Sequence, residues 1–247
     1  MIVAIHQPEH MPWLGFFDKM RQADAFVLLD TTQFAKDDFQ NRNRIKTRNG
    51  PAWLTVPIFK SGASTQLIAE ARICNDRDWR RRCWRLIEES YRDAPCFRDY
   101  EPPLRELYDR QWSGLAELNI AAINHLSAQL GLKTTVLTAS GLGIRERGGT
   151  NTNLAICRAV GAQVYLSGMH GKDYLDEGRF SEHGIQVVYQ DFRHPVYPQL
   201  WGDFVPRMSI IDLLLNCGPR SSKVIADANP PTTRGGELLG HSSHADT

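Results

Sequence analysis

Short apolar runs alternate with amphipathic stretches along the first half of the chain. Ile2–Ile5 is a run of four apolar residues, the length of a buried strand. His6–Pro12 carries Pro8 and Pro12 and breaks regular structure. Trp13–Arg21 has apolar residues at 13, 14, 16, 17 and 20, one face of a helix. Ala25–Leu29 is a second buried-strand run, ended by Asp30. Strand, loop, helix, strand opens a parallel α/β unit. Gln40–Arg48 and Ala52–Ile58 flank Asn49-Gly50, a strong hairpin signal, and Leu67–Ile73 reads as a third strand beside them. Asn75 or Asp76 caps a helix running to about Arg92, and Pro102–Leu130 reads as one or two more, closed by Gly131. Thr134–Leu137, Gln163–Leu166 and Gly184–Tyr189 read as strands, Asn151–Val160 and Met208–Leu215 as helices. This pattern predicts a Rossmann-like α/β fold: a mainly parallel sheet with helices and an antiparallel hairpin insertion. Residues 1–217 form a single domain in this reading. From Gly218 the chain turns to Pro, Gly, Ser and Thr, so 218–247 reads as a disordered tail.

Composition narrows the function classes. A hydrophobic fraction of 42% and a charged fraction of 23% fit a globular chain and exclude wholesale disorder. The net charge of +1 excludes nucleic-acid binding through bulk charge, so such binding needs a local patch. Cys74, Cys83, Cys96, Cys157 and Cys217 are scattered, with no C-x-x-C, against a disulfide framework or zinc ribbon. No apolar run approaches a membrane span, and the first residues lack a signal-peptide pattern, so the expected setting is cytoplasmic. No metal is expected: His170, His183 and His194 are scattered and H-E-x-x-H is absent. No cofactor is expected either, since G-x-G-x-x-G, G-x-S-x-G and the P-loop are absent.

Candidate chemistry gathers at strand exits, where open α/β sheets bind ligands. His6-Gln7 leaves the first strand; Asp30 and Gln33 leave the next. If the strands are neighbours, Asp30 can orient the His6 imidazole; otherwise Asp30 caps its own turn and His6 bonds backbone. Across Gln40, Asn41, Arg42, Asn43, Arg44, Ile45 and Lys46, strand alternation puts Arg42, Arg44, Lys46 and Arg48 on one face. Such a face suits an anion, or is simply a solvated edge. Ser167-Gly168 with Gly171-Lys172 forms a strand-exit loop with backbone donors. The Arg-rich helix Trp79–Arg85 either touches RNA or is amphipathic with snorkelling arginines. Cys157 is either a nucleophile or a small core residue. His194-Pro195 completes the set.

Read together, these residues resemble the WbqC-like protein family. The resemblance rests on Ile5-His6-Gln7-Pro8, on Pro12–Lys19, on Asp30 with Gln33-Phe34, and on Gln40–Asn43 with Ile45–Thr47. It continues through Trp53–Pro57, Ile156-Cys157, Tyr165–Gly168, His194-Pro195 and Ser209–Leu214, about residues 2 to 218. Cys83 and Asn153 depart from the His and Arg of the family's pattern. The resemblance implies a bacterial cytoplasmic protein tied to O-antigen surface-polysaccharide or natural-product biosynthesis. Its implied activity is an aminoacyl (glycyl) or acyl transferase that forms an amide bond on an amino-sugar or other amine acceptor. An aminoacyl-tRNA donor would account for the basic strand face. In that reading His6 is the base, Asp30 orients it, Arg42, Arg44 and Lys46 hold the donor, and Ser167-Gly168 stabilises the oxyanion. The alternatives are an ATP-dependent amide ligase, with His6 and His10 at the α-phosphate and Lys172 at the pyrophosphate, and a non-catalytic sugar-nucleotide or RNA-binding protein. The sequence leaves the oligomeric state open.

Overall fold

A computed structural model describes residues 1–59, 66–231, 233–234 and 237–238. Its centre is a parallel five-stranded sheet of β1 (Ile2–His6), β2 (Ala25–Leu28), β5 (Thr135–Thr138), β6 (Val164–Ser167) and β7 (Gln186–Tyr189), ordered β5-β2-β1-β6-β7. Two further strands, β3 (Arg42–Thr47) and β4 (Gly50–Thr55), form a separate antiparallel hairpin between β2 and β5 in sequence, and the short β8 (Thr233–Arg234) and β9 (Glu237–Leu238) pair antiparallel near the chain's end.

Parallel strands covered on both faces read as unbroken apolar runs, and β1 is such a run. Val3 and Ile5 enter one core with Val27, Tyr165, Ile156 and Cys157, while Ala4 enters the other with Phe26, Leu28 and Leu166. Helix α1 (Leu14–Arg21) covers the second face with Phe16, Phe17 and Met20; α5 (Gly149–Ala159) covers the first with Leu154 and Ile156. The hairpin is joined by α2 (Trp79–Tyr91), α3 (Phe97–Asp109) and α4 (Leu115–Gln129), whose aromatic and leucine side chains extend the second core.

A buried carboxylate ties this insertion to the chain's end. Asp212, on α7 (Ile210–Cys217), accepts the hydroxyls of Tyr91 and Tyr197 at 2.7 and 2.8 Å and the Gln199 amide at 2.7 Å. The Tyr91 hydroxyl also accepts the Lys46 backbone N–H of β3 at 3.0 Å. Helix α7, the hairpin and the 190–209 loop therefore meet on one network.

Two segments differ from the sequence expectation. Leu67–Ile73 is not a strand. Ile68–Glu70 is a short 3-10 turn in which the Glu70 carboxylate accepts the Leu67 N–H, leaving isolated bridges at Leu67, Arg72 and Ile73. Local side-chain capping competes there with a sheet ladder. After α6 (Glu177–Ser181) and α7, residues 218–228 are also helical, a 3-10 turn leading into α8 (Ser221–Ala228). Ile225 is buried in the core, and Asn229 bonds the backbone of Arg193 in both directions. The polar, Gly-Pro-rich composition conceals a single apolar stripe, which contact with α1 and α7 stabilises. The expected disorder of the remaining tail falls at 232, 235–236 and 239–247, outside the described residues.

Ile225→Ala is therefore expected to lower unfolding stability by about 2–4 kcal/mol. Urea denaturation checks it; an unchanged midpoint would mean that α8 does not dock.

Candidate active-site cleft

The strand order β5-β2-β1-β6-β7 reverses direction at β1, so β1 and β6 bound the topological switch point. Their pairing runs from Ile2–Val164 to Ala4–Leu166, whereas β1 stays paired with β2 to His6. The two strands part just where Ile5, His6 and Ser167 follow.

A cleft of about 700 Å³ opens beside this point, at the carboxyl ends of β1, β2 and β5. Gln7, Thr31, Thr32 and Gln33 line it from the strand exits. Glu146, Arg147, Gly148-Gly149, Thr152 and Asn153 line it from the start of α5, and Leu29, Leu67, Glu70 and Tyr174 complete it. Gly148 has φ +88, and a side-chain carbon on Gly149 would fall 2.5 Å from the Tyr174 ring. The paired glycines thus let the Tyr174 ring lie against the helix terminus, whose free N–H groups and positive dipole end favour anions.

His6 sits next to Gln7, with its side chain 26% exposed. Its Nδ1 is 3.0 Å from the Gln7 carbonyl, which acts only as an acceptor. The proton therefore sits on Nδ1, and the Nε2 lone pair is available. Burial and the nearby Lys19 lower the His6 pKa to about 3, so the ring is neutral. Phe16 packs edge-on against it, ring centroids 4.9 Å apart.

Gln7 and Gln40 do converge. The Gln40 amide donates to Gln7 Oε1 at 2.7 Å, and the Gln7 amide donates to Thr32 Oγ1 at 3.2 Å. This chain holds Gln7 at the cleft wall. Gln33 lines the cleft and bridges to Leu67. Asp30 is committed elsewhere. Its carboxylate accepts Ser140 N–H at 2.9 Å and Ser140 Oγ at 2.5 Å, fixing the turn after β5. The Gln7 carbonyl, one residue along, occupies the position on His6 Nδ1 that a carboxylate would take.

The basic hairpin face is only partly satisfied within the chain: Arg42 Nε and Arg44 Nε are buried without a hydrogen-bond partner. Arg42 and Arg44 lie over Trp53, 4.2 and 5.6 Å from its ring, and Arg42 is 3.8 Å from Asp37. Lys46 points inward and donates to the Asp203 carbonyl at 2.5 Å. Asn41 and Asn43 donate to the Val56 and Met11 carbonyls, both at 2.9 Å. Packing of β3 against α2 and α7 breaks the simple alternation, burying Lys46 beside Ile45.

The other candidates stand apart from the cleft wall. Ser167 is buried, its hydroxyl on the Gly168 carbonyl at 3.2 Å. Lys172 lies 5.2 Å from the Tyr189 ring. His194 uses both nitrogens, Nδ1 to Pro195 O and Nε2 accepting from Arg207 N, each at 2.9 Å. His10 is fully buried, 3.3 Å from the Tyr108 hydroxyl, and burial lowers its pKa to about 4. Cys157 is fully buried, and burial pushes its thiol up to about 12, which suppresses the thiolate.

Arg147, Gly148-Gly149, Glu146, Thr31 and Tyr174 were not legible as site residues. Arg-Gly-Gly just before a helix was the signal available for the first three. Glu9 and Lys19 were also missed, being single charged residues inside apolar or Pro-rich segments. Both are buried beside His6: burial raises the Glu9 pKa to about 8 and lowers that of Lys19 to about 7. Among the described residues, no cluster of three or more His, Cys, Asp or Glu could hold a metal ion. Nor is any helix long and apolar enough to cross a membrane.

The fold and cleft define a Rossmann-type α/β protein with a polar site at the carboxyl edge of its sheet. The chain belongs to the WbqC-like protein family, whose profile it matches over residues 7–224. It is 36% identical over 218 residues to an uncharacterized protein of Mycobacterium tuberculosis (strain ATCC 25618 / H37Rv), covering 87% of this chain and 94% of that one. No solved structure matches the chain.

The imidazole state is directly testable. In ring-nitrogen NMR titrations His6 is expected to stay neutral, with its proton on Nδ1, down to about pH 4. The folded pKa lies below the unfolded value of 6.5, so this His favours the native state fully above pH 6.5. That contribution is lost as pH falls from 6.5 toward about 3. His6→Gln is expected to flatten the acid limb of the stability profile.

Proposed function

We propose that this protein is an acyl transferase, of the aminoacyl type, that forms an amide bond on an amino-sugar or other amine. The carrying observation is the neutral His6 imidazole with an uncommitted Nε2, one residue from the wall of a polar cleft. Nε2 takes the proton released as the amine attacks the acyl carbon. The low basicity of the ring favours transfer from an already acidified ammonium in the tetrahedral intermediate over deprotonation of a free alkylammonium.

Arg147 and the α5 N-terminus suit the phosphate or other anionic part of a donor. In this reading they share the role that Arg42 and Arg44, whose Nε groups are unpartnered, have in the sequence-based account, while Lys46 is spent on backbone carbonyls. Backbone N–H groups of the loop after β6 are the oxyanion donors. Asp30 acts through the Ser140 turn rather than on the imidazole. Aminoacyl-tRNA is the donor class under test, and a cytoplasmic biosynthetic setting goes with it.

The nucleotide-type strand order supports a second reading, an ATP-dependent amide ligase. Its sequence-based phosphate ligands are His6 and His10, and burial of His10 against Tyr108 counts against it.

Thermal shift with UDP, ATP and a glycylated/deacylated tRNA pair separates the readings. At 100 times Kd a true donor raises stability by about 2.7 kcal/mol, a Tm rise of roughly 5–10 °C. Selective response to charged tRNA, weakened by Arg147→Ala, supports the transferase. With that donor, His6→Ala is expected to cut amide formation about 10²–10⁴-fold while donor binding holds. Response to ATP alone, with ATP–pyrophosphate exchange, moves the assignment to the ligase; wild-type turnover by His6→Ala removes His6 from the chemistry.

A further inference from the structure

Where β1 and β6 part, the gap is filled by a lysine. Lys19 comes from α1, is 3% exposed, and donates from Nζ to the Ile5 carbonyl at 2.9 Å. That single bond leaves the rest of the amine's hydrogen-bonding capacity unspent. The far side of the gap is Gly168, at the exit of β6. A side-chain carbon there would lie 3.9 Å from Nζ, so the glycine keeps space beside the amine.

Glu9 enters the same region from the Pro8–Pro12 loop and is 7% exposed. Its Oε1 lies 3.8 Å from His6 Nδ1, and its Oε2 is buried without a hydrogen-bond partner. An unpaired buried carboxyl oxygen is costly, and its persistence points to a partner that arrives from outside. Glu9 and Lys19 interact electrostatically, yet no Glu9 oxygen comes within the 4.0 Å of an ion pair with Nζ among the described residues. The other charged or titratable groups that bear on the pair are His6 and Asp38.

We infer that Glu9 and Lys19 form a carbonyl-capturing site, in which Lys19 condenses with a compact aldehyde or ketone to an iminium and Glu9 is the acid. The geometry supplies a buried amine and a buried carboxyl on either side of the Ile5-His6 strand exit, each with unspent hydrogen-bonding capacity. Burial disfavours both charges, which leaves the amine and the carboxylic acid as the forms that react.

The step balances within the pair. The Lys19 amine adds to the carbonyl carbon and passes one of its two hydrogens to the oxygen, giving a carbinolamine. The Glu9 carboxyl then protonates that hydroxyl, water leaves, and the C–O bond is replaced by C=N. The nitrogen keeps one hydrogen and the positive charge, and Glu9 remains as the carboxylate beside it. The new ion pair restores the charge complement that burial had suppressed. This site is independent of the acyl-transfer reading, since it uses neither His6 Nε2 nor the Arg147 cleft.

Trapping tests it on the full chain. The protein is incubated with acetaldehyde and sodium cyanoborohydride at pH 7, and N-ethylation of each lysine is read by peptide mapping. Lys19 is expected to be modified at least about tenfold faster than the exposed Lys36 and Lys223. Its rate is expected to reach half-maximum near pH 7, with the exposed lysines still rising above that. Glu9→Gln is expected to slow Lys19 trapping about tenfold or more and leave Lys36 and Lys223 unchanged. If that variant fails to fold, the ranking and pH profile of the wild type decide. Labelling confined to Lys36, Lys223 and other exposed amines overturns the inference, as does a Lys19 rate indifferent to Glu9→Gln in a folded variant.

Discussion

Everything at the site depends on β1 being gripped on both edges and released on one. Its backbone pairs with β2 as far as His6 but with β6 only as far as Ala4. The unequal release leaves the Ile5 carbonyl without a strand partner on the β6 side, and Lys19 supplies the missing donor. A buried carbonyl needs a partner. Meeting that need with a lysine amine brings a titratable group into a place where apolar residues would otherwise close the sheet. The low polarity around it then controls the protonation of Lys19, Glu9 and His6 together.

The hairpin insertion does structural work that its charge pattern hides. Its arginines lie over Trp53, its asparagines hold the β4 exit and the Met11 carbonyl, and Lys46 reaches the 202–203 backbone. Arginine and aromatic faces attract each other without an external anion. Asp212 completes the attachment, because three donors converge on one desolvated carboxylate and bind α7 to α2 and to the 190–209 loop before it. The hairpin and α2–α4 thus form the wall against which the His6–Pro12 loop is packed. Asn119 of α4 donates to the Pro8 and Gln40 carbonyls at 3.2 and 2.8 Å.

Two groups of polar residues adjoin each other with different chemistry. The cleft is wide and lined by amides, hydroxyls, Arg147, the carboxylates of Glu70 and Glu146 and a helix N-terminus, a setting for a large polar ligand. The group beside it is desolvated, and comprises the buried Glu9 and Lys19. His6 and Gln7 are consecutive at the end of β1: Gln7 lines the cleft, and His6 stands between it and Glu9, which lies 3.8 Å from its Nδ1. A single strand exit therefore serves both.

The sequence by itself determined the parallel α/β class, the strands β1, β2, β5, β6 and β7, the hairpin, and the placing of Gln7 and Gln33 at strand exits. These follow from local signals: apolar runs, Asn49-Gly50, and helix-period spacing. Only the tertiary structure decided which polar side chains meet. Asp30 turned to Ser140 because β5 pairs beside β2, a neighbour 110 residues away in sequence. Lys19 reads on a helical wheel as a solvent-side residue, yet is buried because α1 crosses the point where β1 and β6 separate. Ile225 docks because α1 and α7 present a complementary surface that composition does not reveal. Periodicity reports which face of an element is apolar; it carries no information on what long-range packing places opposite that face, and there the protonation and the candidate chemistry are set.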